Sequence, residues 1–573
     1  MTIVKGKFKR YLAVCISCML VFSILLVGQA YAVVPAESTF FATTFVEEGD
    51  KYNTKSDGDL WPSAWSTDDY LYIANGDGKG FNTTSGTWKD IVFNKITSGH
   101  PDSANLAGTR IKDSMGTVWN TTKCSDNSAA YNRKPTGLTS RGGTLWMAVQ
   151  DLNRCPGGPA FNDAPNATIL KSTDKGVTWT WNTSTPMFPN YVFTTIYFLD
   201  WGKDGVDNDP NTTWDNYIYA YATDYNWRDS FNNAVTDPTK LYLARILATD
   251  NVQDISKWQF WTGGLSGGTE SWSTGGNIGA KMPIMQDDSR VYQTVTAGFD
   301  SADIKDMTII SQGSVTYNRA MNRYIYLSWS EYTFEFYEAP APWGPWKKFL
   351  SKDFGSYNSP WTDTKNGGYT TVMPSKYISA DGKKMWLNAN TFMSGSVTNY
   401  KFSLRPLWVT KYDSTLTPSN ARSSTNNLAV NGQDKTPMAR NSFHQGNPWA
   451  LNDGVTNANI DDWNGEAKTQ SFWGYTWSRP YNINKVVYVS GNSFSDGGWF
   501  SSGLKVQVRQ NFAWVDVSSV TVSPAYPYDS TANPYKTYTF TFSDTWGDGV
   551  RIIGATSGTE KFTTIAELQV FYQ

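Results

Sequence analysis

The sequence predicts an all-β chain, a five-bladed β-propeller followed by a C-terminal β-sandwich, on three observations. First, five cognate apolar segments with an aromatic second residue recur at Leu71-Tyr72, Leu145-Trp146, Ile218-Tyr219, Ile325-Tyr326 and Met385-Trp386. Such recurrence is the mark of a radially repeated sheet protein. Second, six residues after the first member of each pair stand Asp77, Asp151, Asp224, Glu331 and Thr391, so four of the five repeats end in a carboxylate. A ring of repeats places those acids around one axis. Third, the text from residue 38 to 413 is short alternating runs punctuated by Gly, Asn, Asp and Pro, with essentially no helical period.

The repeats start 74, 73, 107 and 60 residues apart, each long enough for a four-stranded blade with loops. The stretch Thr39 to Glu48 precedes the first repeat and is positioned to supply the strand that closes the ring and removes exposed edges. Residues 414–433, rich in Ser, Thr, Asn and Pro, read as a flexible linker. Residues 434–573 hold alternating strands such as Lys485 to Val489, Leu504 to Val508, Tyr538 to Phe542 and Glu567 to Phe571, the pattern of a sandwich.

The first 32 residues read as an export signal: Lys5, Lys7, Lys9 and Arg10, an apolar run from Tyr11 to Val27, then Ala30-Tyr31-Ala32. The product is therefore expected to be secreted. Cys15 and Cys18 leave with that signal, and the pairing of the two remaining cysteines, Cys124 and Cys155, stays open at this level. No later segment approaches the ~20 apolar residues of a membrane span. Charged residues are 17% of the chain and aromatics 15%, with a net charge of -2, so there is no basic stripe for a nucleic-acid backbone. A monomer without nucleic-acid or membrane partners is expected, its partner a polysaccharide or cell-surface glycan.

Only two histidines exist, His100 and His444, which leaves almost no material for a Ser-His-Asp triad or a histidine-rich zinc site. Carboxylates must carry any acid-base chemistry, and no cofactor is expected for catalysis. Hydrolysis of a glycosidic bond needs one carboxylic acid beside the leaving oxygen and a second carboxylate as base or nucleophile. The first repeat is the richest candidate. Asp57-Gly58-Asp59-Leu60-Trp61-Pro62 leads through a turn at Thr67-Asp68-Asp69 to Leu71-Tyr72-Ile73-Ala74-Asn75-Gly76-Asp77, a hairpin expected to bring Asp59 and Asp77 to one end. Trp61 and Trp65 are the expected stacking surfaces for a sugar, with Asp151, Asp224 and Glu331 positioning hydroxyls. Read one by one, these acids equally suit strand caps and turns.

Ser172-Thr173-Asp174-Lys175-Gly176-Val177-Thr178-Trp179 matches the S-x-D-x-G-x-T-W pattern called the Asp-box, common in sialidases and other propellers, and reads as a structural hairpin. No arginine stands at the repeat position to bind a sialic acid carboxylate. Asp204 to Asp209 is an acidic loop without EF-hand spacing and reads as solvated. The prolines of Tyr337 to Trp346 make its tryptophans packing groups.

Asp59-Leu60-Trp61-Pro62, Asn75-Gly76-Asp77-Gly78 and the Ala339 to Trp346 phrase resemble secreted bacterial propeller proteins catalogued as a domain of unknown function. Some relatives are endo-acting glycoside hydrolases of arabinofuranose polysaccharides, and the resemblance implies Asp59 and Asp77 as the catalytic pair. The surrounding phrase departs from theirs, so substrate does not transfer with the fold. The C-terminal segment resembles the discoidin, or factor 5/8 type C, carbohydrate-binding sandwich. Ala450-Leu451-Asn452-Asp453-Gly454, Trp473-Gly474-Tyr475-Thr476-Trp477, Tyr481-Asn482-Ile483-Asn484-Lys485-Val486 and Ile565-Ala566-Glu567-Leu568-Gln569-Val570 carry that resemblance. It implies a structural calcium at Asp453 and Glu567. Phe494, Trp499, Phe500 and Trp546 are its candidate sugar contacts, as suited to core as to platform.

The leading expectation is a secreted glycoside hydrolase with a carbohydrate-binding module. The alternative is a non-catalytic adhesin or lectin, and a lyase ranks last because acids at the repeat positions would repel a uronate.

Overall fold

The computed structural model describes residues 32–47, 52–103, 105–155, 163–206, 213–225, 238–296, 306–329, 333–353, 372–388, 391–393, 396–399, 401–440 and 448–573. The expected signal, apart from Ala32, lies outside them, as do Glu331 and His444. Leu428–Asn431 is the one α-helix among the described residues, and the chain is otherwise strands, turns and short 3-10 segments. No helix among them is long and apolar enough to cross a membrane.

Each recurring aromatic pair sits on a strand within an antiparallel meander. In the first, Asp57–Asp59 and Ser63–Trp65 pair with Leu71–Gly80, which pairs with Lys89–Ser98 and then Ala107–Asp113. Tyr131–Arg141, Thr144–Asn153 and Ala167–Ser172 form the next. Thr195–Asp200, Tyr217–Thr223, Lys240–Leu247 and Gln259–Phe260 follow, and then Gly313–Asn318, Arg323–Trp329, Thr333–Ala339 and Lys347–Asp353. The opening strands of these two meanders pair in parallel, Leu199 opposite Val315. The last meander joins Lys384–Asn388 to Ser403–Lys411, whose outer edge is taken by Phe41–Val46 from the start of the chain.

The strands form because they are apolar, aromatic and β-branched, and the aromatic repeat position is what they bury. Tyr72, Trp146, Tyr219, Tyr326 and Trp386 are all buried. Ladders of rings join neighbouring meanders: Tyr197 stacks on Tyr221 and on Tyr326, and Trp343 stacks on Trp261 at 5.5 Å. The tryptophans of the proline-rich phrase are thus packing groups, as the sequence implied. Cys124 and Cys155 form a disulfide with Cα atoms 5.4 Å apart.

The C-terminal half is an eight-stranded sheet built on two long strands, Gln470–Ser490 and Thr537–Thr556, paired along most of their length. Register shifts between Thr476 and Tyr481, next to Pro480, and between Ile483 and Lys485 bend the pair. Its apolar face encloses Trp473, Tyr475, Tyr488, Phe540, Val550 and Leu568. The segment 414–433, expected to be a flexible linker, departs from that expectation at its end. Leu428 and Ala429 lie in this core, and Asn427 caps their short helix while also accepting from the Val570 amide. Two small apolar residues among polar ones were enough to anchor it.

Candidate functional site

The carboxylates of Asp59 and Asp77 are brought to one ammonium. Asp59 lies opposite Gly76 in the ladder. Gly76 has no side chain to fill the space between them: a Cβ there would stand 2.3 Å from Asp59 Oδ1 and 3.1 Å from Lys134 Nζ. Into that space reaches Lys134 from the strand Tyr131–Arg141, pairing with Asp59 Oδ2 at 3.5 Å and with Asp77 Oδ2. Asn132, two residues earlier and so on the same face, donates to Asp77 Oδ1 at 3.3 Å. Burial alone would pull the Lys134 ammonium's pKa down, but the charges of Asp59 and Asp77 outweigh it and hold the pKa above its ordinary value. The side chains are 6% (Asp59), 17% (Asp77) and 2% (Lys134) exposed, so Asp77 is the member a ligand reaches.

The backbone here is held in an uncommon conformation. Leu60, Trp61 and Asp77 have φ of 71°, 51° and 37°, the left-handed region that side chains other than glycine rarely enter. Three such residues around one carboxylate pair are the kind of strain that clusters at functional sites.

The other expected residues are placed differently. Trp61 is not a sugar platform: it is fully buried, its indole donating to the Gly58 carbonyl at 2.8 Å and packing on Phe81 and Phe402. Trp65 pairs with Leu71 whereas Asp59 pairs with Gly76, so Trp65 sits five residues down the partner strand, roughly 17 Å at ~3.3 Å per residue. The hairpin that unites the two aspartates therefore carries Trp65 to its opposite end. There it lines an 820 Å³ cavity with Trp201, Lys203, Tyr317 and Arg319. Asp151 is fully buried and accepts from the amides of Trp119 and Asn120 and from the Asn166 side chain, each at 3.0 Å. It holds a loop rather than a sugar, and burial pushes its pKa up to about 6. Asp224 accepts from the Phe193 amide at 2.7 Å and pairs with Lys281 at 2.9 Å. Asp204 takes the Ser140 hydroxyl and the Gly143 amide.

In the C-terminal half, Phe500 is fully buried against Tyr488 and Tyr526, which removes it as a sugar contact. Trp499 is half-buried, and Phe494 and Trp546 are exposed. Glu567 is buried and its Oε2 accepts from the Gly454 amide at 3.2 Å, bringing the loop of Asp453 onto the closing strand. Burial, reinforced by the like charge of Asp453, pushes Glu567 up to about 7. Asp453 Oδ1 accepts from the Val455 amide at 2.8 Å, and two carboxylates that feel each other's charge are the donor type a hard cation such as calcium would take. Among the described residues no three His, Cys, Asp or Glu side chains gather as metal ligands, so the rest of such a shell would be backbone carbonyls.

Lys134 and Asn132 were missed by the sequence reading. Their signal was present: Asn132-Arg133-Lys134 puts three successive polar side chains at the start of a strand. These residues lie on the strand before the repeat position, which no repeat spacing marks.

No family model and no curated protein matches the chain. Among solved structures, CpGH89CBM32-5 from Clostridium perfringens, in complex with GalNAc-β-1,3-galactose, is similar at 19% identity over 26% of this chain and 99% of that one, with a TM-score of 0.21. The family 32 module of Clostridium perfringens NanJ, in complex with galactose, is similar at 18% identity over 24% of this chain and 93% of that one, with a TM-score of 0.20. An exo-β-1,3-galactanase from Phanerochaete chrysosporium is similar at 10% identity over 92% of this chain and 100% of that one, with a TM-score of 0.31.

Proposed function

We propose that the chain is a secreted glycoside hydrolase in which a five-bladed propeller cuts a polysaccharide and the C-terminal sandwich holds it to that glycan. The observation that carries this reading is the convergence of Asp59 and Asp77 on the buried Lys134, inside a strained turn. Five successive meanders, the last edged by the chain's own beginning, support the ring. Asp77, the more exposed member, faces the substrate as base or nucleophile. Asp59 and Lys134 orient it and balance its charge. A carboxylate pair that shares one ammonium is poorly suited to donate a proton, so a separate acid is required. Asp453 and Glu567 would hold calcium, which fixes the entry loop of the sandwich to its last strand and takes no part in bond cleavage.

One observation favours the second reading, a glycan-binding protein without catalysis: Asp59 is nearly inaccessible and both acids are engaged by the single ammonium of Lys134. Reducing-sugar release from a panel of plant, algal and bacterial-envelope glycans separates the two. The hydrolase reading expects release from one glycan, lost in Asp77→Asn and Asp59→Asn proteins that remain folded. Silence across the panel with retained glycan binding selects the second reading.

A further inference from the structure

The two halves of the molecule meet over a cleft of 630 Å³ whose floor is the outer face of the C-terminal sheet and whose wall is formed by Phe41–Val46 and residues 348–352. Arg551 lies on that floor, opposite Gly474 in one ladder and Gln507 in the other. Gly474 keeps the floor bare beside it, since a Cβ there would stand 2.7 Å from that of Arg551. The Arg551 guanidinium lies over the ring of Trp514 at 4.4 Å and near that of Phe472 at 4.9 Å. Its Nε donates to a neutral acceptor, Gln507 Oε1, at 2.8 Å. Arg440 enters the same cleft from the strand edge. Neither arginine forms an ion pair with a carboxylate among the described residues, whereas Lys348 pairs with Asp287 and Glu335, and Arg509 with Asp548. Glu37 is the carboxylate of the lining, and it faces Lys348.

The carboxylate that Arg551 feels, Asp516, lies behind Gln507 and is already paired with Lys505 at 2.9 Å, so a half-buried guanidinium clamped by aromatic rings keeps capacity for an anion from outside. Burial holds Arg551 down to about 10, with the Asp516 charge acting against that fall. The fork of a guanidinium matches a planar carboxylate through two parallel bonds. The cleft is of a size that takes a small organic ligand, far more than a bare anion fills, and Phe512 and Trp514 give it apolar faces on which a pyranose can lie. We propose that this cleft binds a carboxylate-bearing saccharide, with Arg551 and Arg440 receiving the carboxylate and Trp514 the ring. The proposal does not depend on the hydrolase reading, because the Asp59 and Asp77 site is elsewhere and carries a net negative charge.

Titration calorimetry of the whole mature chain with trigalacturonate, neutral galactotriose and inorganic phosphate tests it. Trigalacturonate is expected to bind saturably, and Arg551→Gln to weaken it by about tenfold or more, the loss of one charge-assisted hydrogen bond. Arg440→Gln, at an exposed position that folding does not need, weakens it as well, and Asp77→Asn leaves it unchanged. Absence of trigalacturonate binding overturns the proposal, as does binding that survives both arginine substitutions. Phosphate or galactotriose binding as tight as trigalacturonate also overturns it.

Discussion

At Lys134 three charges are removed from water together, and their interdependence decides what a substitution does. Replacing Lys134 by Met leaves Asp59 buried beside Asp77 with no ammonium, and breaking a buried pair from one side costs about 3–5 kcal/mol. Adding Asp59→Asn removes one stranded charge and is expected to restore part of that loss, a coupling that urea denaturation of the two single and the double variants measures. A double variant less stable than Lys134→Met alone would show that the three groups are not one unit. Asp151 gives the opposite kind of signature. Its folded pKa, about 6, lies above the unfolded carboxylate value, so the folded state holds the proton more tightly. Its contribution is fully present below about pH 4 and is lost as pH rises through about 6, a change of about 3 kcal/mol at ~1.4 kcal/mol per unit. Asp151→Asn should flatten the stability profile between those values. An unchanged slope in denaturant midpoints from pH 4.5 to 7 would remove Asp151 as its source.

At the scale of the element, the hairpin Ser172 to Trp179 shows why some of the fold was legible. Asp174 accepts from the Thr178 amide and hydroxyl at 2.9 and 2.6 Å, Ser172 Oγ accepts from the Gly176 amide at 2.8 Å, and Trp179 donates to the Gly176 carbonyl at 3.0 Å. All of this is local, so a sequence pattern states it completely. Gly176 adopts φ +90°, and a Cβ there would lie 2.0 Å from the Phe93 ring. Gly176→Ala is therefore expected to cost about 3 kcal/mol or more, the sum of left-handed strain and overpacking, read as a lowered denaturation midpoint. A change below 1 kcal/mol would mean the hairpin is free to shift off Phe93. The candidate site was less legible for the same reason inverted. The Asp59 and Asp77 hairpin follows from its turn, but Lys134 arrives from a strand 55 or more residues away, and no spacing announces it. The aromatic residues misled because Trp61 and Phe500 look like Trp65 and Trp499 until burial separates them.

Across the whole molecule, the chain is tied at places far apart in sequence. Phe41–Val46 edges the strand Ser403–Lys411, and the same segment offers the Ala42 carbonyl to Arg509 of the C-terminal half at 2.6 Å. Thr296 donates its amide to the Gly465 carbonyl at 2.9 Å and its hydroxyl to Glu560 at 2.6 Å, and Asn464 donates to Asp353 at 3.1 Å. These bonds tie the C-terminal half to the rest of the chain at both edges of the contact. The calcium proposed at Asp453 and Glu567 would then have a consequence beyond its own loop. Because a ligand that binds only the folded state stabilises it by mass action, chelation removes that stabilisation from every part that unfolds with it. EDTA is expected to lower a single calorimetric transition of the mature protein, with calcium restoring it. Asp453→Asn should start low and ignore both additions, and Glu560→Ala should split the transition, leaving only its C-terminal part sensitive to EDTA. A transition that EDTA leaves in place in the unaltered protein would remove calcium from the Asp453 and Glu567 corner, and two transitions at the outset would show that the halves unfold independently despite these bonds.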